Sequence, residues 1–303
     1  MRKTIFFYLA FGSWGFNAFA QPAMVQYTEN VGYFNPAAVA YQPCDSFRVT
    51  TFYRNQWLGL NGNPQHIAGM AEYNLSNINS GIGLNFTHEK IGFSTNIDVG
   101  LSYRYSVKFK KGRALSAGLS VNYYHMRVKG LFIGSQTSFY ENSADATVTS
   151  RFGLVYSSRA LVLGISVFHP TQPELRLDPS FLTFKLSRVF NFHGSYKFQL
   201  NQNNTLSPEL IVFSDAFSFF TLVNLKWNRN DKIFLGAGFK NIPGVSNTYA
   251  ANLSLGYQAF GRFYFGAAYE YSFREPNWGH PHTLEFMVRY SVKKKEKDCI
   301  KVE

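Results

Sequence analysis

One run of aromatic, charged and amide side chains near the N-terminus has the residue types of a binding site. It consists of Tyr53, Arg54, Asn55, Gln56, Trp57, Leu58 and Gly59. On a strand, alternation places Arg54 and Gln56 on one face and Tyr53, Asn55 and Trp57 on the other. Arg54 is then expected to be either an anchor for a partner segment or plug, or an arginine paired inside a barrel, with the aromatic rings at the level of lipid headgroups.

The dipeptide Asn35-Pro36 precedes this run and is the second candidate. Pro fixes φ and Asn tolerates turn geometry, so a plain turn is one interpretation. The other interpretation is that Asn35 and Pro36 order an N-terminal segment, which is tucked into a barrel or lies against its periplasmic mouth.

The histidines do not predict a metal site or a catalytic centre. His280 and His282 could form half of a transition-metal site, but only Glu275 and Glu285 lie near them, so we expect solvated loop side chains. A lipid hydrolase would need a Ser, a His and an orienting group on one face, and no spacing in the sequence assembles such a group. No nucleotide-binding glycine motif occurs either. We therefore expect no enzyme activity and no cofactor, with a lipid enzyme as an open alternative.

The first twenty residues have the features of an export signal. Arg2 and Lys3 precede an apolar stretch, and Ala18-Phe19-Ala20 matches the small-x-small cleavage pattern, so the mature chain is expected to begin at Gln21. Loss of these two basic residues lowers the formal net charge from +12 to +10. Because the chain is exported, we expect no nucleic-acid partner despite this basic balance.

Long segments of the chain alternate between apolar residues and polar or small ones. Hydrophobic residues make up 46% of the 303 residues and charged residues 16%, yet no run after the signal approaches the roughly 20 apolar residues of a spanning helix. Between Arg262 and Arg274, every second residue is Phe, Tyr or Ala, and the intervening face is largely small or polar. Such alternation predicts strands, because successive side chains of a strand point to opposite faces.

These strands are expected to form an all-β fold, a transmembrane antiparallel β-barrel of the outer-membrane type. Their polar faces are rich in Gly, Ser, Asn and Thr, and several segments are long enough to cross a bilayer when tilted. About fourteen strands are predicted, near 47–57, 65–75, 80–89, 94–109, 113–127, 149–157, 160–168, 182–198, 205–213, 217–227, 231–240, 248–258, 261–273 and 282–292. Short connections follow the even-numbered strands. Longer connections, such as Lys129 to Thr147 and Pro170 to Phe181, mostly follow the odd-numbered strands.

The predicted organisation has four parts. They are a signal peptide at 1–20, an N-terminal segment at 21–46 that is periplasmic or forms a plug, the barrel at 47–292, and a basic periplasmic tail at 293–303. The lumen is expected to be narrow, or plugged by the N-terminal segment or by the long loop at Lys129 to Thr147. Cys44 and Cys299 flank the first and last strands, and they could form one disulfide or remain separate thiols.

Several segments resemble the PorP/SprF family, outer-membrane components associated with the type IX secretion system of Bacteroidota. The matching segments are Phe34-Asn35-Pro36-Ala37, Tyr53 to Gly59, Ser80 to Asn85, Glu89 to Gly92, Asp231 to Gly236 and His282 to Tyr290. The chain departs from the family at Ala38-Val39-Ala40, where Tyr-Ala-Gly is usual, and in its longer and more basic tail. The resemblance covers roughly Tyr33 to Tyr290.

This resemblance implies a non-enzymatic protein that helps to export particular cargo proteins or holds them at the cell surface. The implied partners are outer-membrane lipid, cargo with a C-terminal secretion domain, and periplasmic secretion-ring components, and some family members support gliding motility. From the strands alone, a channel or transporter for small hydrophobic or polar solutes is the alternative, because a fold does not fix a function.

Overall fold

The computed structural model describes residues 24–42, 44–133, 138–178, 182–215, 219–242, 248–273, 279 and 281–294. The predicted signal peptide and most of the predicted C-terminal tail lie outside these ranges.

The strands are β1 (Asp45–Asn55), β2 (Gln65–Leu75), β3 (Ser80–Ile91), β4 (Ser94–Phe109), β5 (Arg113–Ile133), β6 (Ser138–Ser157), β7 (Leu161–Phe168), β8 (Glu174–Asp178), β9 (Leu182–Lys185), β10 (Val189–Tyr196), β11 (Phe198–Asn201), β12 (Asn204–Ser214), β13 (Phe219–Arg229), β14 (Ile233–Ile242), β15 (Thr248–Ala259), β16 (Phe263–Ser272) and β17 (His282–Lys293). Short 3₁₀ turns at Ser76–Ile78 and Lys110–Gly112 lie in two of the connections.

Fourteen strands close into one antiparallel barrel. Wall strands that follow one another in sequence pair with each other, and the first strand, β1, pairs with the last, β17. β10 pairs with β7 on one side and with β12 on the other, and the short β11 continues it as one interrupted wall strand. The predicted fold and strand number are therefore confirmed. Closure pairs the backbone of the first strand with that of the last, as the interior of a bilayer requires.

The two faces of the wall differ as the alternation predicts. Along β16, Phe263, Phe265 and Tyr271 are 38%, 48% and 40% exposed on the outer face, whereas Tyr264 and Glu270 point inward and are buried. Outward apolar side chains of this kind face lipid, and the inward polar ones line the lumen. None of the described helices is long and apolar enough to cross a membrane.

β5 and β6 extend well beyond the strands predicted at 113–127 and 149–157. The connection from Lys129 to Thr147 was expected to be a long loop, but Lys129 pairs with Asn142 and Thr147 pairs with Tyr124 in a continuous ladder. The loop prediction is therefore wrong for most of this segment. The apolar alternation ends here while the backbone pairing continues, so periodicity does not mark these residues as strand.

The strand predicted at 182–198 is divided in the structure. β9 pairs with β8 in a separate hairpin, which occupies part of the connection predicted as a loop from Pro170 to Phe181, and β10 belongs to the wall. Leu175 and Leu186 from this region pack in one apolar cluster with Tyr124 of β5. The extra hairpin is thus held by side-chain packing on β5, which alternation along a single strand could not predict.

Residues 24–42 lie inside the barrel and form a plug. The plug contains a 3₁₀ turn at Tyr27–Asn30, one α-helical turn, α1 (Val31–Phe34), and a second 3₁₀ turn at Pro36–Ala38. Nearly all of its side chains are buried, and they form the main apolar core together with wall residues such as Phe213. The core of the molecule is therefore built between the chain's own N-terminal segment and the inner face of the barrel.

Candidate functional site

Asn35 joins the plug to the barrel wall. Its side-chain oxygen accepts a hydrogen bond from Ala37 N at 2.9 Å, which fixes the second 3₁₀ turn. Its Nδ2 donates to the backbone oxygens of Leu154 on β6, at 3.2 Å, and Ile165 on β7, at 3.0 Å. Pro36 follows at the first position of the turn, where its fixed φ fits and its missing N–H is not needed. The Asn-Pro pair thus both shapes the plug and binds it.

Glycines on β5 and β6 make room for this contact. A Cβ at Gly118 would collide with the backbone of Pro36 and Ala37, and a Cβ at Gly153 would collide with the side chain of Asn35. Glycine in a strand weakens the strand, but it permits close approach of a second backbone. The wall therefore has a recess where the Asn-Pro-Ala segment lies.

Arg54 lies in the lumen, where it is only 2% exposed. Its guanidinium pairs with Glu270 at 2.9 Å and with Glu285 at 3.3 Å, and Lys240 also contacts Glu270. Glu285 in turn accepts hydrogen bonds from two backbone N–H groups of the plug, at 2.9 and 3.0 Å. Arg54 is therefore paired inside the barrel and reaches the plug through Glu285, which makes it a positioning residue for the plug.

The rest of the run that contains Arg54 lies at the end of β1. Tyr53 faces outward and is exposed. β1 spans Asp45–Asn55, so the strand predicted at 47–57 has the observed length but begins and ends two residues too late. Gln56 donates its backbone N–H within the following turn at 2.9 Å, and Trp57 and Gly59 adopt positive φ values of 56° and 91°. Within this run, Arg54 therefore lies in the lumen, whereas Gln56 to Gly59 form a turn after the end of β1 at the barrel mouth.

A second charged cluster holds the first 3₁₀ turn of the plug. Glu29 pairs with Lys226 of β13 at 2.7 Å and with Arg289 of β17 at 2.6 Å. Lys226 also pairs with Glu209 at 3.2 Å, and Glu209 accepts a hydrogen bond from Thr28 at 2.9 Å. Burial alone would raise the pKa of Glu29, but Lys226 and Arg289 outweigh it and lower that pKa to about 2. Glu29 is therefore ionised at neutral pH and attracts both cations.

A third set of contacts holds α1. Arg151 of β6 pairs with Asp98 of β4 at 2.7 Å and donates to the backbone oxygen of Tyr33 at 3.3 Å. The backbone oxygen of Phe34 accepts a hydrogen bond from Ser166 Oγ at 2.8 Å. In a longer helix, backbone N–H groups would donate to these carbonyl oxygens. Because α1 is only one turn long, side chains of the wall donate to them instead.

The sequence does not identify the wall residues that hold the plug. The charged ones are Glu285, Glu209, Lys226, Arg289, Arg151 and Asp98. Each lies on the polar face of an alternating strand, so the pattern places it toward the lumen. The pattern does not identify its partner, because pairing across a lumen depends on how the barrel closes.

The cysteines and loop histidines fall partly outside the described chain. Cys44 lies directly before β1, and its carbonyl accepts a hydrogen bond from Lys294 N at 2.9 Å, just after β17. Cys299 lies outside the described residues, so a Cys44–Cys299 disulfide stays a prediction.

His280 also lies outside the described residues, and His282 Nδ1 hydrogen-bonds with a tyrosine hydroxyl at 2.6 Å. Among the residues that the structure describes, no group of three or more His, Cys, Asp or Glu side chains could hold a metal ion.

A cavity of 1020 Å³ lies beside the plug, and we call it the vestibule. It is lined by plug residues such as Glu29 and Gln42, by lumen-facing wall residues, and by short connections such as Ser158 and Gly261. Its lining also includes Asp45 at the start of β1 and Lys293 at the end of β17. The vestibule is therefore at the end of the barrel that carries both ends of the wall.

Comparison with known proteins identifies a family and a fold. A family model described as "Type IX secretion system membrane protein PorP/SprF" matches residues 16–290. No curated protein matches the chain. Among solved structures, the chain is similar to the CymD monoaromatic hydrocarbon channel, with 11% identity over 87% of this chain and 92% of that one and a TM-score of 0.57. It is also similar to a Pseudomonas aeruginosa FadL homologue, with 11% identity, 86% and 93% coverage and a TM-score of 0.54.

The outer membrane protein Omp33 of Acinetobacter baumannii is a third similar structure. It has 11% identity, its coverage is 83% of this chain and 100% of that chain, and its TM-score is 0.51. At such low identity the likeness shows a shared barrel architecture. Together with the match to a secretion-system membrane family, it locates the protein in the outer membrane.

Proposed function

Because the chain belongs to the PorP/SprF family of type IX secretion system membrane proteins, we propose that it is a non-enzymatic component of that system which handles specific cargo. In this proposal the barrel assists the export of particular proteins or holds them at the cell surface, with gliding-motility adhesins as one class of cargo. Its partners would be cargo with a C-terminal secretion domain and periplasmic components of the secretion ring.

The observation that carries the proposal is the plug. Asn35, the Arg54–Glu285 pair and Glu29 fasten it to different strands of the wall. Withdrawal of the plug would break the ion pairs of Glu29 with Lys226 and Arg289 and the hydrogen bonds from the plug backbone to the buried carboxylate of Glu285, so it would be costly. A lumen filled in this way favours a role in docking proteins on a closed barrel over the passive flow of solutes.

Deletion of the gene tests this function. We expect surface labelling and mass spectrometry of the deletion strain to show selective loss of large surface proteins that share a C-terminal domain. Re-expression of the natural chain should restore them, and re-expression of the Lys129→Gln variant, altered at an exposed position on β5, should do so equally well. A surface protein composition that does not change on deletion would refute a role in export or attachment.

A further inference from the structure

The vestibule carries an excess of positive charge. Ten basic and four acidic residues line it, and the acidic Glu29, Glu209 and Asp45 already form ion pairs with basic residues of the same lining. Six of the basic residues form no ion pair with any residue in the described part of the chain. These six are Arg104, Lys108, Arg113, Arg159, Lys197 and Lys293.

Arg104 differs from the other five because it is buried. It lies on β4, lines the vestibule and is only 7% exposed. Its Nε is buried and has no hydrogen-bond partner among the described atoms. A Cβ at Gly81 would lie 3.2 Å from that nitrogen, so the neighbouring strand crowds the guanidinium. The buried carboxylate of Glu72 attracts Arg104 but forms no ion pair with it, and Glu72 Oε1 instead accepts a hydrogen bond from Ala40 N at 2.7 Å. Burying a cation without a directly paired carboxylate is costly, which makes such a residue a candidate contact for an anion that comes from outside the chain.

The position of the vestibule indicates which compartment supplies the anion. It opens among the short connections and beside the two ends of the wall, and in a barrel with an even number of strands these face the periplasm. Its volume of 1020 Å³ is at the upper limit of the roughly 300–1,000 Å³ typical of small-molecule sites. There is thus room for an extended peptide segment as well as for a single small anion.

We propose that the vestibule binds an acidic peptide segment of a periplasmic partner, with Arg104 as the buried contact for a carboxylate. Arginine presents two parallel N–H donors that match a carboxylate, and Lys108, Arg113 and Arg159 add exposed positive charge for further acidic residues. A peptide fits better than a lipid headgroup because the vestibule opens along the lumen, on the inner side of the wall. The identity of the partner as a secretion component rests on the proposed function, whereas binding of the peptide does not.

Peptide binding to the purified full-length protein in detergent micelles tests the proposal. The probe is a fluorescent peptide of alternating Glu and Gly, and the matched peptide of alternating Gln and Gly is its control. We expect the Glu peptide alone to bind, and Arg104→Gln to weaken binding about tenfold or more, which is typical for loss of a hydrogen bond between charged groups. Lys129→Gln removes one positive charge outside the vestibule lining and should change the affinity less than about twofold.

A second variant keeps the test valid if Arg104→Gln does not fold. Lys108→Gln/Arg159→Gln alters two exposed lining residues and should also weaken binding of the Glu peptide. The proposal is overturned if the Glu peptide does not bind, if Lys129→Gln weakens binding as much as Arg104→Gln, or if phosphatidylglycerol in the micelles abolishes binding while inorganic phosphate does not. The last result would assign the vestibule to a lipid. None of these results depends on cargo, so a failure here is distinct from an unchanged surface in the deletion strain.

Discussion

At the scale of single residues, Arg54 is the cation that pairs with Glu285 among the described residues, and it shares Glu270 with Lys240. Glu270 and Glu285 are each 1% exposed, and both pair with Arg54. We expect Arg54→Gln to lower the free energy of unfolding by about 3–5 kcal/mol, the usual cost of leaving a buried charge without its partner. Urea-induced unfolding of the protein in lipid vesicles, followed by tryptophan fluorescence, measures this loss.

The double variant Arg54→Gln/Glu270→Gln is the control for this prediction. It removes one carboxylate together with the cation, so its loss should be smaller than the sum of the two single losses. Lys129→Gln alters an exposed charge and should change the free energy of unfolding by no more than about 0.5 kcal/mol. Strictly additive losses at Arg54 and Glu270 would contradict the coupling between them.

The second prediction concerns Asn35, where we expect the change to Asp, which is closer to Asn in shape, to loosen the plug more than the change to Ala. Asn35→Ala removes the hydrogen bonds to the wall, whereas Asn35→Asp points a negative oxygen at the backbone oxygens of Leu154 and Ile165. Each unsatisfied buried group costs about 1–3 kcal/mol, and more when the group is charged. We expect protease cleavage within the plug of the folded barrel to be faster in Asn35→Ala and fastest in Asn35→Asp.

Asn61→Asp provides the matched control, because Asn61 is exposed in the turn between β1 and β2. Its cleavage rate should equal that of the natural chain. Faster cleavage in Asn35→Ala than in Asn35→Asp would show that the bonds from Nδ2 to the wall do not hold the plug.

At the scale of elements, the recess on β5 and β6 determines where the plug lies. We expect Gly118→Ala to displace the Asn-Pro-Ala segment, because its new Cβ would collide with the backbone of Pro36 and Ala37. Gly69→Ala on β2 is the control, since its nearest neighbours would be 3.9 Å away, an ordinary contact. Both variants should keep heat-modifiable migration on a gel, but protease should cleave the plug faster in Gly118→Ala alone. Equal cleavage in the two variants would contradict a role for the recess.

The strands themselves show how far periodicity predicts this fold. The strand predicted at 261–273 corresponds to β16, because lipid on one side and a polar lumen on the other impose a strict alternation on its residues. The strands predicted at 113–127 and 149–157 are shorter than β5 and β6, and the pattern does not predict the β8–β9 hairpin. The reason is that neither the extended part of the β5–β6 pairing nor the hairpin lies between lipid on one side and a polar lumen on the other. Periodicity thus predicts the bilayer part of each strand better than the parts beyond it.

The contacts of the plug are a second feature that the sequence pattern predicts only in part. Asn35-Pro36 and Arg54 could be selected as candidates from their residue types, and alternation places Arg54 on the lumen face. Glu285 and Glu29 could not be selected in the same way. Glu285 meets Arg54 because β1 and β17 close the barrel, and Glu29 meets its cations because the plug lies within that closed wall. Both contacts depend on the closed topology, which local pattern does not contain.

At the scale of the whole molecule, the wall and the plug share one interior. The outer face of the wall meets lipid, so the buried apolar cluster lies on the lumen side, where Tyr27 and Phe34 of the plug pack with Phe213 and Phe220 of the wall. Buried ion pairs such as Arg54–Glu285 and Arg151–Asp98 lie on the same lumen side of the wall. The N-terminal segment is therefore part of the folded interior of the barrel.

Removal of residues 24–42 tests whether this interior closes the barrel to solutes. In liposome-swelling measurements with small sugars, we expect the natural protein to be nearly impermeable, because the plug fills the lumen. The deletion variant should swell the liposomes rapidly, since fourteen strands with a polar inner face would then surround an open lumen. Gly69→Ala should behave as the natural chain does. Rapid swelling by the natural protein would favour the small-solute channel over the docking role, and a deletion variant that is heat-modifiable yet impermeable would show that another segment closes the lumen.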